Sequence, residues 1–178
     1  MPAVLITLQR QANSYGYFSP NRFARRSSQN SSVGELALNP DRFTGASDEE
    51  ICSRLVHEMA HVWQDAHGRW KPQNGGYHNS EWAIKMQQIG LHPSSTGRPG
   101  GKETGQHMSH YIVPAGPYAQ AYTRLAATGF RLNWESSSPP AKKKGGSKVK
   151  YSCPRCGANT WAKPEANLVC GDCQERML

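Results

Sequence analysis

The 178-residue chain is long enough for one domain of ordinary size and a small second unit, and its apolar content of 37% indicates that part of it lies outside a packed core. It contains no apolar run of the roughly 20 residues needed to cross a membrane, and its start, MPAVLITLQR, lacks the basic region and cleavage site of a signal peptide, so we expect an intracellular protein. The net charge of +8 is concentrated in residues 1–46 and 135–178, which favours contact with a polyanion at the periphery.

The first 40 residues are predicted to form three antiparallel strands. Residues 6–23 alternate apolar and polar side chains and turn around Asn13 and Ser14, which is typical of a hairpin. Residues 25–32 (RRSSQNSS) are polar and predict a loop. VGELAL, from Val33 to Leu38, predicts the third strand.

A long helix is predicted to begin after Ser47. Ser47 and Glu50 have the spacing of a capping box, apolar residues recur at helical spacing from Ile51 to Val62, and Gly68 ends the pattern. SEWAIKMQQIGL predicts a second helix that stops at Gly90. Further along the chain we expect a long loop at 93–106, a strand at 110–113 and a helix at 118–130. The fold class predicted is α+β.

Residues 57–61 read HEMAH, with two histidines at positions i and i+4 of the first helix. Side chains at this spacing lie one above the other, so His57 and His61 can bind one zinc ion. Glu58 is then placed to act as the general base of a hydrolytic zinc enzyme. Because a catalytic zinc takes three protein ligands, a third must lie elsewhere.

Three residues are candidates for that third ligand. His67 has the position of the last histidine in H-E-x-x-H-x-x-G-x-x-H, but Gln64 replaces the glycine, so the helix continues and turns His67 away. Glu81, on the second helix, matches the layout of thermolysin-like enzymes. His78 lies one turn before Glu81, and spacing alone does not separate these two.

The segments VHEMAHVWQD and GYHNSEWAIKMQQIGL resemble the SprT family, to which the Spartan DNA–protein crosslink protease belongs. In that family a third histidine opens the next helix within a G-H-G-P-E-F-like segment, and this sequence matches it at His78, Glu81 and Trp82. The family's two glycines and its proline are replaced here by Tyr77, Asn79 and Ser80. With the strands before the helix and a C-terminal cysteine unit, the resemblance covers most of the chain.

The resemblance implies a zincin-like domain in which three histidines bind a catalytic zinc and Glu58 is the catalytic residue. The implied ligands are His57, His61 and His78. From its position alone, Glu81 in the first turn of the second helix is either a ligand or a residue that orients one. Among the other candidates, His92, His107 and His110 are expected to be structural or exposed. Tyr111 is a weaker candidate for stabilising an oxyanion, and Cys52 is expected to be a buried apolar residue.

The C-terminal region predicts a second zinc site of the ribbon type. Two C-x2-C pairs supply four thiolates, which fill a tetrahedral site and make its zinc structural rather than catalytic. The ligands are Cys153, Cys156, Cys170 and Cys173. Gly157 and Gly171 lie where the two cysteine turns are expected to need glycine.

Basic and aromatic residues around this unit predict contact with nucleic acid, especially single-stranded DNA, through phosphates and base stacking. They are Lys142, Lys143, Lys144, Lys148, Lys150, Arg155, Trp161 and Lys163. A ribbon that serves only stability or protein docking is the alternative.

The sequence is therefore interpreted as a SprT-like metallopeptidase domain at 1–134, a flexible basic linker at 135–150 and a zinc ribbon at 151–178. The expected activity is zinc-dependent hydrolysis of peptide bonds in DNA-associated proteins, in the cytoplasm or at the nucleoid, with a role in DNA repair implied by the resemblance. Two alternatives stay open: a non-proteolytic, DNA-associated regulatory protein that keeps the zinc-binding fold, and a zinc hydrolase acting on a non-peptide amide.

Overall fold

The computed structural model describes residues 2–70, 76–137 and 148–178, apart from the side chains of 28–30. The chain divides into two compact units, residues 1–140 and 141–178. Within the described ranges the protein is α+β, with three α-helices and three small sheets, which confirms the predicted class. The elements are β1 (Val4–Leu8), β2 (Gly16–Arg25), β3 (Ser28–Leu38), α1 (Asp48–His67), α2 (Ser80–Ile89), β4 (Leu91–Ser94), β5 (Ser109–Ile112), α3 (Pro117–Ala127), β6 (Val149–Ser152) and β7 (Asn159–Ala162).

The first sheet has the strand order β1-β3-β2, and only β2 and β3 are antiparallel. The prediction of a hairpin around Asn13 was wrong: β1 lies parallel to β3, on the side opposite β2. The hairpin instead joins β2 to β3, inside the segment predicted as a loop. β3 takes the central place because both of its faces are covered, with Leu36 and Ala37 at 0% and 1% exposure. A strand of that kind pairs on both edges.

Helix α1 begins as the sequence predicts. The Ser47 side chain accepts from the Glu50 backbone N–H, and the Glu50 side chain accepts from the backbone N–H of Ser47, which completes the capping box. One face of the helix packs on the first sheet through Ile51 and Val62. Another packs through Ala60 on α2, β4 and α3. α1 is thus covered on two sides, and its remaining buried residues are polar.

Helix α2 and the loop after it fix the position of His78, which lies between α1 and α2. The Asn79 side chain caps α2 by accepting from the Trp82 backbone N–H at 3.0 Å, and Gly90 ends the helix at φ 91°. His78 exchanges two backbone hydrogen bonds with Gly105, of 2.9 and 3.0 Å. The predicted long loop therefore fixes the backbone on the N-terminal side of α2.

The second unit is built around two cysteine turns and the hairpin β6-β7. Cys153, Cys170 and Met177 form its small core. Gly157 has φ 73°, as the first turn requires, but Gly171 has no such role: in the second turn the left-handed position is taken by Gln174 at φ 53°. In both turns the residue directly after the second cysteine donates its N–H to the carbonyl of the first.

The predicted linker is only partly covered by the structure. Residues 138–147, with Lys142, Lys143 and Lys144, lie outside the described residues. Strand β6 begins at Val149, two residues before the predicted start of the ribbon at 151. In the parts of the chain that the structure describes, no helix combines the length and apolar character needed to span a membrane.

Candidate metal centre

Three histidine side chains meet in the first unit. His57 and His61 project from α1 and His78 precedes α2, and one ring nitrogen from each lies within 4.8 Å of the others. All three are buried, at 8%, 9% and 8% exposure. The His57 and His78 Nε2 atoms are 3.2 Å apart. Two nitrogens bound to one tetrahedral zinc at ~2.05 Å lie about 3.3 Å apart, so the observed separation fits that geometry.

Hydrogen bonds on the outer side of the His57 and His78 rings determine where the protons of these two rings are. The His78 Nδ1 lies 3.2 Å from the Gly105 carbonyl oxygen, which can only accept, so Nδ1 carries the proton. His57 is reached through a series of hydrogen bonds. Ser53 Oγ donates to the Glu50 carbonyl oxygen at 2.7 Å and therefore accepts from His110 Nε2 at 2.9 Å.

A neutral His110 that donates through Nε2 has a lone pair at Nδ1. His57 Nδ1, at 3.2 Å, is then the donor to that lone pair.

The inner nitrogens of His57 and His78 consequently carry no proton. Two Nε2 lone pairs face each other at 3.2 Å inside a buried site, and no hydrogen bond between neutral rings can relieve their repulsion. A cation between them turns this repulsion into two bonds. The donor set therefore fits a metal ion on chemical grounds as well as on distance, and imidazole nitrogen is a ligand typical of zinc.

Burial keeps these histidines neutral. It lowers the pKa of His61 to about 3 and of His110 to about 4, and it holds the pKa of His57 well below its usual range. The pKa of His78 is also lowered by burial, against the opposing effect of its contact with Gly105. Because a metal binds neutral imidazole, the site needs no deprotonation at neutral pH before it accepts an ion.

Glu58 lies on α1 beside the first histidine, and it is buried against the start of β2. A Cβ atom on Gly16 would lie 3.3 Å from both Cγ and Oε1 of Glu58, so the glycine leaves room for the carboxyl group. Burial raises the pKa of Glu58 to about 8. A carboxyl group with a pKa in this range can both take up and release a proton near neutral pH.

Trp82 of α2 contacts all three histidine rings. Its ring centroid lies 4.8 Å from that of His57, 5.4 Å from that of His61 and 4.4 Å from that of His78. The indole is fully buried, and it stacks almost parallel on His61, at an interplanar angle of 16°. Trp82 therefore restricts the ring orientations of all three histidines.

The two rival ligands face elsewhere. His67 is exposed at the end of α1, where its ring contacts Trp63, and six residues of helix turn it about 120° away from His61. The Glu81 carboxylate accepts from the backbone N–H groups of Arg69 at 2.9 Å and Trp70 at 3.3 Å. Glu81 thus binds the segment after α1, and the contact with Arg69 is the main cause of its lowered pKa.

Most of the remaining sequence candidates lie away from the three histidines, and His110 does not. Tyr111 stacks on His92, with ring centroids 5.0 Å apart, on the face of β5 opposite His110. His107 is exposed, and Cys52 is half-buried against the core beside α2. His110, expected to be structural or exposed, lies outside the group of three ligands and contacts His57, and Ser53 was not singled out at all. No local spacing indicates these two, because they lie on α1 and β5 and meet only in the folded chain.

The four ribbon cysteines form the second candidate site. One sulfur from each lies within 4.8 Å of the others, and Cys156 Sγ is 3.7 Å from Cys170 Sγ. Two thiolates bound to a tetrahedral zinc at ~2.3 Å lie about 3.8 Å apart. The backbone N–H of Cys156 is the main cause that lowers the pKa of Cys153 to about 7, so this thiol ionises readily. Both clusters can hold metal ions, and both are consistent with zinc.

The described basic candidates of the ribbon lie on its surface. Lys150 and Trp161 are cross-strand partners in β6-β7, so their side chains share one face. Trp161 is 60% exposed. Arg155, Lys148 and Lys163 are also exposed.

A scan against protein-family models, a search of curated proteins and a search of solved structures each found no match. The chemical interpretation of both clusters therefore depends on their geometry.

Proposed function

We propose that the chain is a zinc-dependent endopeptidase of SprT type, with a zincin-like domain, that cleaves proteins associated with DNA. The observation that carries the proposal is the pair of unprotonated Nε2 atoms of His57 and His78, 3.2 Å apart, together with a buried Glu58 that directly follows His57 on α1. Helix α1 thus provides two of the three metal ligands and a carboxyl group of suitable pKa.

The residues divide the chemistry between them. His57, His61 and His78 would hold the metal, which when bound supplies the positive charge that polarises a peptide carbonyl and makes water more acidic. Glu58 takes the proton from the attacking water and then gives it to the leaving amine. The burial of Glu58, at 7% exposure, limits the exchange of that proton with bulk water.

Recruitment to DNA is assigned to the ribbon. The exposed indole of Trp161 offers a surface for stacking an unpaired base, and the ammonium group of Lys150 on the same face can contact a phosphate. Stacking of this kind is worth about 1–3 kcal/mol per base. The exposed cations nearby add a salt-dependent contribution without base specificity.

The decisive experiment compares zinc-loaded wild type with Glu58→Gln in a protein cleavage assay, with and without single-stranded DNA. We expect Glu58→Gln to lower the cleavage rate about 10²- to 10⁴-fold, as the loss of a general base does. Glu81→Gln is the matched control, because its carboxylate binds backbone N–H groups away from the histidines. Equal cleavage by wild type and Glu58→Gln would refute the mechanism.

A second comparison tests the ligands and the DNA contact. His78→Ala should lose the zinc of the histidine site and keep that of the ribbon, whereas Glu81→Gln should keep both. Trp161→Ala should weaken binding to single-stranded DNA, and Trp134→Ala, which removes an indole that is 80% exposed in the first unit, should not. DNA binding without any cleavage would support the non-proteolytic alternative.

A further inference from the structure

One histidine of the first unit contacts the candidate site without being among its ligands. His110 lies on β5, whereas His57 and His61 lie on α1 and His78 precedes α2. Its two ring nitrogens are both engaged: Nδ1 lies 3.2 Å from Nδ1 of His57, and Nε2 lies 2.9 Å from Oγ of Ser53. The His110 ring therefore links the first ligand to a polar residue one turn earlier on α1.

We propose that His110 is a positioning residue, which holds His57 in the tautomer and ring orientation that present Nε2 to the metal. The inference rests on the proposed function only in requiring that the histidine site binds a metal. The proposal is supported by the direction of each hydrogen bond in the series from the Glu50 carbonyl to His57. The Glu50 carbonyl can only accept, so Ser53 donates to it, and each following partner is then restricted to one role.

The Ser53 hydroxyl determines the tautomer of His110, and His110 determines that of His57. If Ser53 were absent, His110 would be free to carry its proton on either nitrogen. With the proton on Nδ1, His110 would face the Nδ1–H of His57 and push the His57 proton toward Nε2, where it would block the metal. The pair His110–Ser53 thus selects the metal-binding form of the ligand before any ion arrives.

The chemistry of this outer partner differs from a carboxylate. Ligating histidines often donate to a carboxylate, which adds negative charge near the metal and raises the basicity of the ligand. A neutral imidazole fixes the geometry of His57 without adding that charge. We therefore assign to His110 the role of orienting the ligand while the ion keeps its full charge toward substrate.

The test uses a pair of variants of nearly equal shape. Asn and Leu are close in size, and Asn carries Oδ1 the same number of bonds from Cβ as His carries Nδ1. His110→Asn therefore keeps an acceptor where His57 Nδ1–H needs one, and His110→Leu removes it. The full-length protein is titrated with Co²⁺, whose absorption bands differ between nitrogen and thiolate sites, so the ribbon serves as an internal reference.

We expect His110→Leu to weaken Co²⁺ binding at the histidine site about 10- to 100-fold, the usual effect of losing an outer partner. His110→Asn should stay within about threefold of wild type, and Ser53→Ala should fall between the two. His92→Leu, which changes a histidine on the neighbouring strand β4, is the control and should bind as wild type does. Thermal unfolding of the metal-free variants separates lost affinity from lost folding.

Three results would overturn the proposal. The first is unchanged Co²⁺ affinity in His110→Leu. The second is an equal loss of Co²⁺ affinity in His110→Asn and His110→Leu when the two metal-free variants are equally stable, which would indicate that His110 serves packing. The third comes from wild type alone and holds even if the variants do not fold. Nitrogen-15 NMR of the zinc-loaded protein should find the proton of His57 on Nδ1 and that of His110 on Nε2, and a proton on Nδ1 of His110 would contradict the assignment.

Failure of the His110 proposal can be told apart from failure of the proposed function. If wild type binds metal and Glu58→Gln is inactive while His110→Leu binds as tightly as wild type, only the role of His110 fails. If wild type binds no metal at the histidines, both proposals fail.

Discussion

Replacing Glu58 by Gln should make the metal-free protein more stable while it lowers the proposed cleavage activity. Burial raises the pKa of the carboxyl group from 4.5 to about 8 in the folded chain. Because the folded pKa lies above the unfolded one, the native state binds more protons between these two values, and stability falls as the pH rises through that window. The amide of the Glu58→Gln variant has no proton to lose and avoids this loss of stability.

The magnitude follows from the width of the window. Each pKa unit corresponds to 1.36 kcal/mol, so the roughly 2.5 units between the unfolded pKa and pH 7 amount to about 3 kcal/mol. The stability gain of Glu58→Gln should therefore be close to zero near pH 4.5 and about 3 kcal/mol at pH 7. A bound metal ion favours the carboxylate, so the gain should shrink in zinc-loaded protein.

Urea titrations from pH 4.5 to 8, followed by helical circular dichroism, measure this difference, since α1, α2 and α3 all lie in the first unit. Protonation of the histidines affects both proteins equally and cancels. Glu81→Gln is the control with the opposite sign: its pKa is lowered by the Arg69 backbone N–H, so losing it should cost stability at pH 7 and not at low pH. A stability difference between wild type and Glu58→Gln that does not change with pH would refute the reasoning.

Three further predictions concern stability. The unfolding free energy of metal-free wild type should fall by about 2 kcal/mol per buried histidine between pH 6.5 and 5. The reason is that burial lowers the pKa of His61 to about 3 and of His110 to about 4, so that the unfolded chain binds protons first. Urea titrations with and without zinc measure this loss, and a flat pH profile would contradict it. Ser47→Ala removes the capping box and should lower the unfolding free energy by about 1 kcal/mol, measured by thermal unfolding, with Ser95→Ala in the loop after β4 as a comparison. Cys153→Ser should unfold the ribbon and leave the first unit intact, a pattern in amide NMR spectra that a chelator should reproduce in wild type.

The parts of the protein that follow local rules were predictable from sequence. The capping box of Ser47 and Glu50 placed the start of α1, and Gly90 placed the end of α2. His57 and His61 share a helical face because of their spacing alone. His78 was separated from Glu81 only by a resemblance, and the structure adds a physical reason, since the Glu81 carboxylate is engaged by backbone N–H groups.

The parts that depend on distant contacts were not predictable. The alternating pattern of β1 fits antiparallel and parallel pairing equally well, and the parallel arrangement with β3 depends on which strand is covered on both faces. His110 is similar: nothing around it in the sequence distinguishes a solvent-facing histidine from one that contacts His57 across the fold. The positive φ of Gln174 shows that a turn can tolerate a residue other than the glycine its geometry favours.

The burial of Trp82 against the three histidines has a spectroscopic consequence. Its indole is 0% exposed, whereas Trp70, Trp134 and Trp161 are 60% exposed or more, so its fluorescence should lie at the blue edge of the emission spectrum. A paramagnetic ion such as Co²⁺ bound at the histidines would lie next to the indole and quench that part of the emission. The red-shifted emission comes from exposed indoles of both units and serves as the reference for that quenching. The protein therefore carries an intrinsic optical probe of metal occupancy at the histidine site, which needs neither a label nor a substrate.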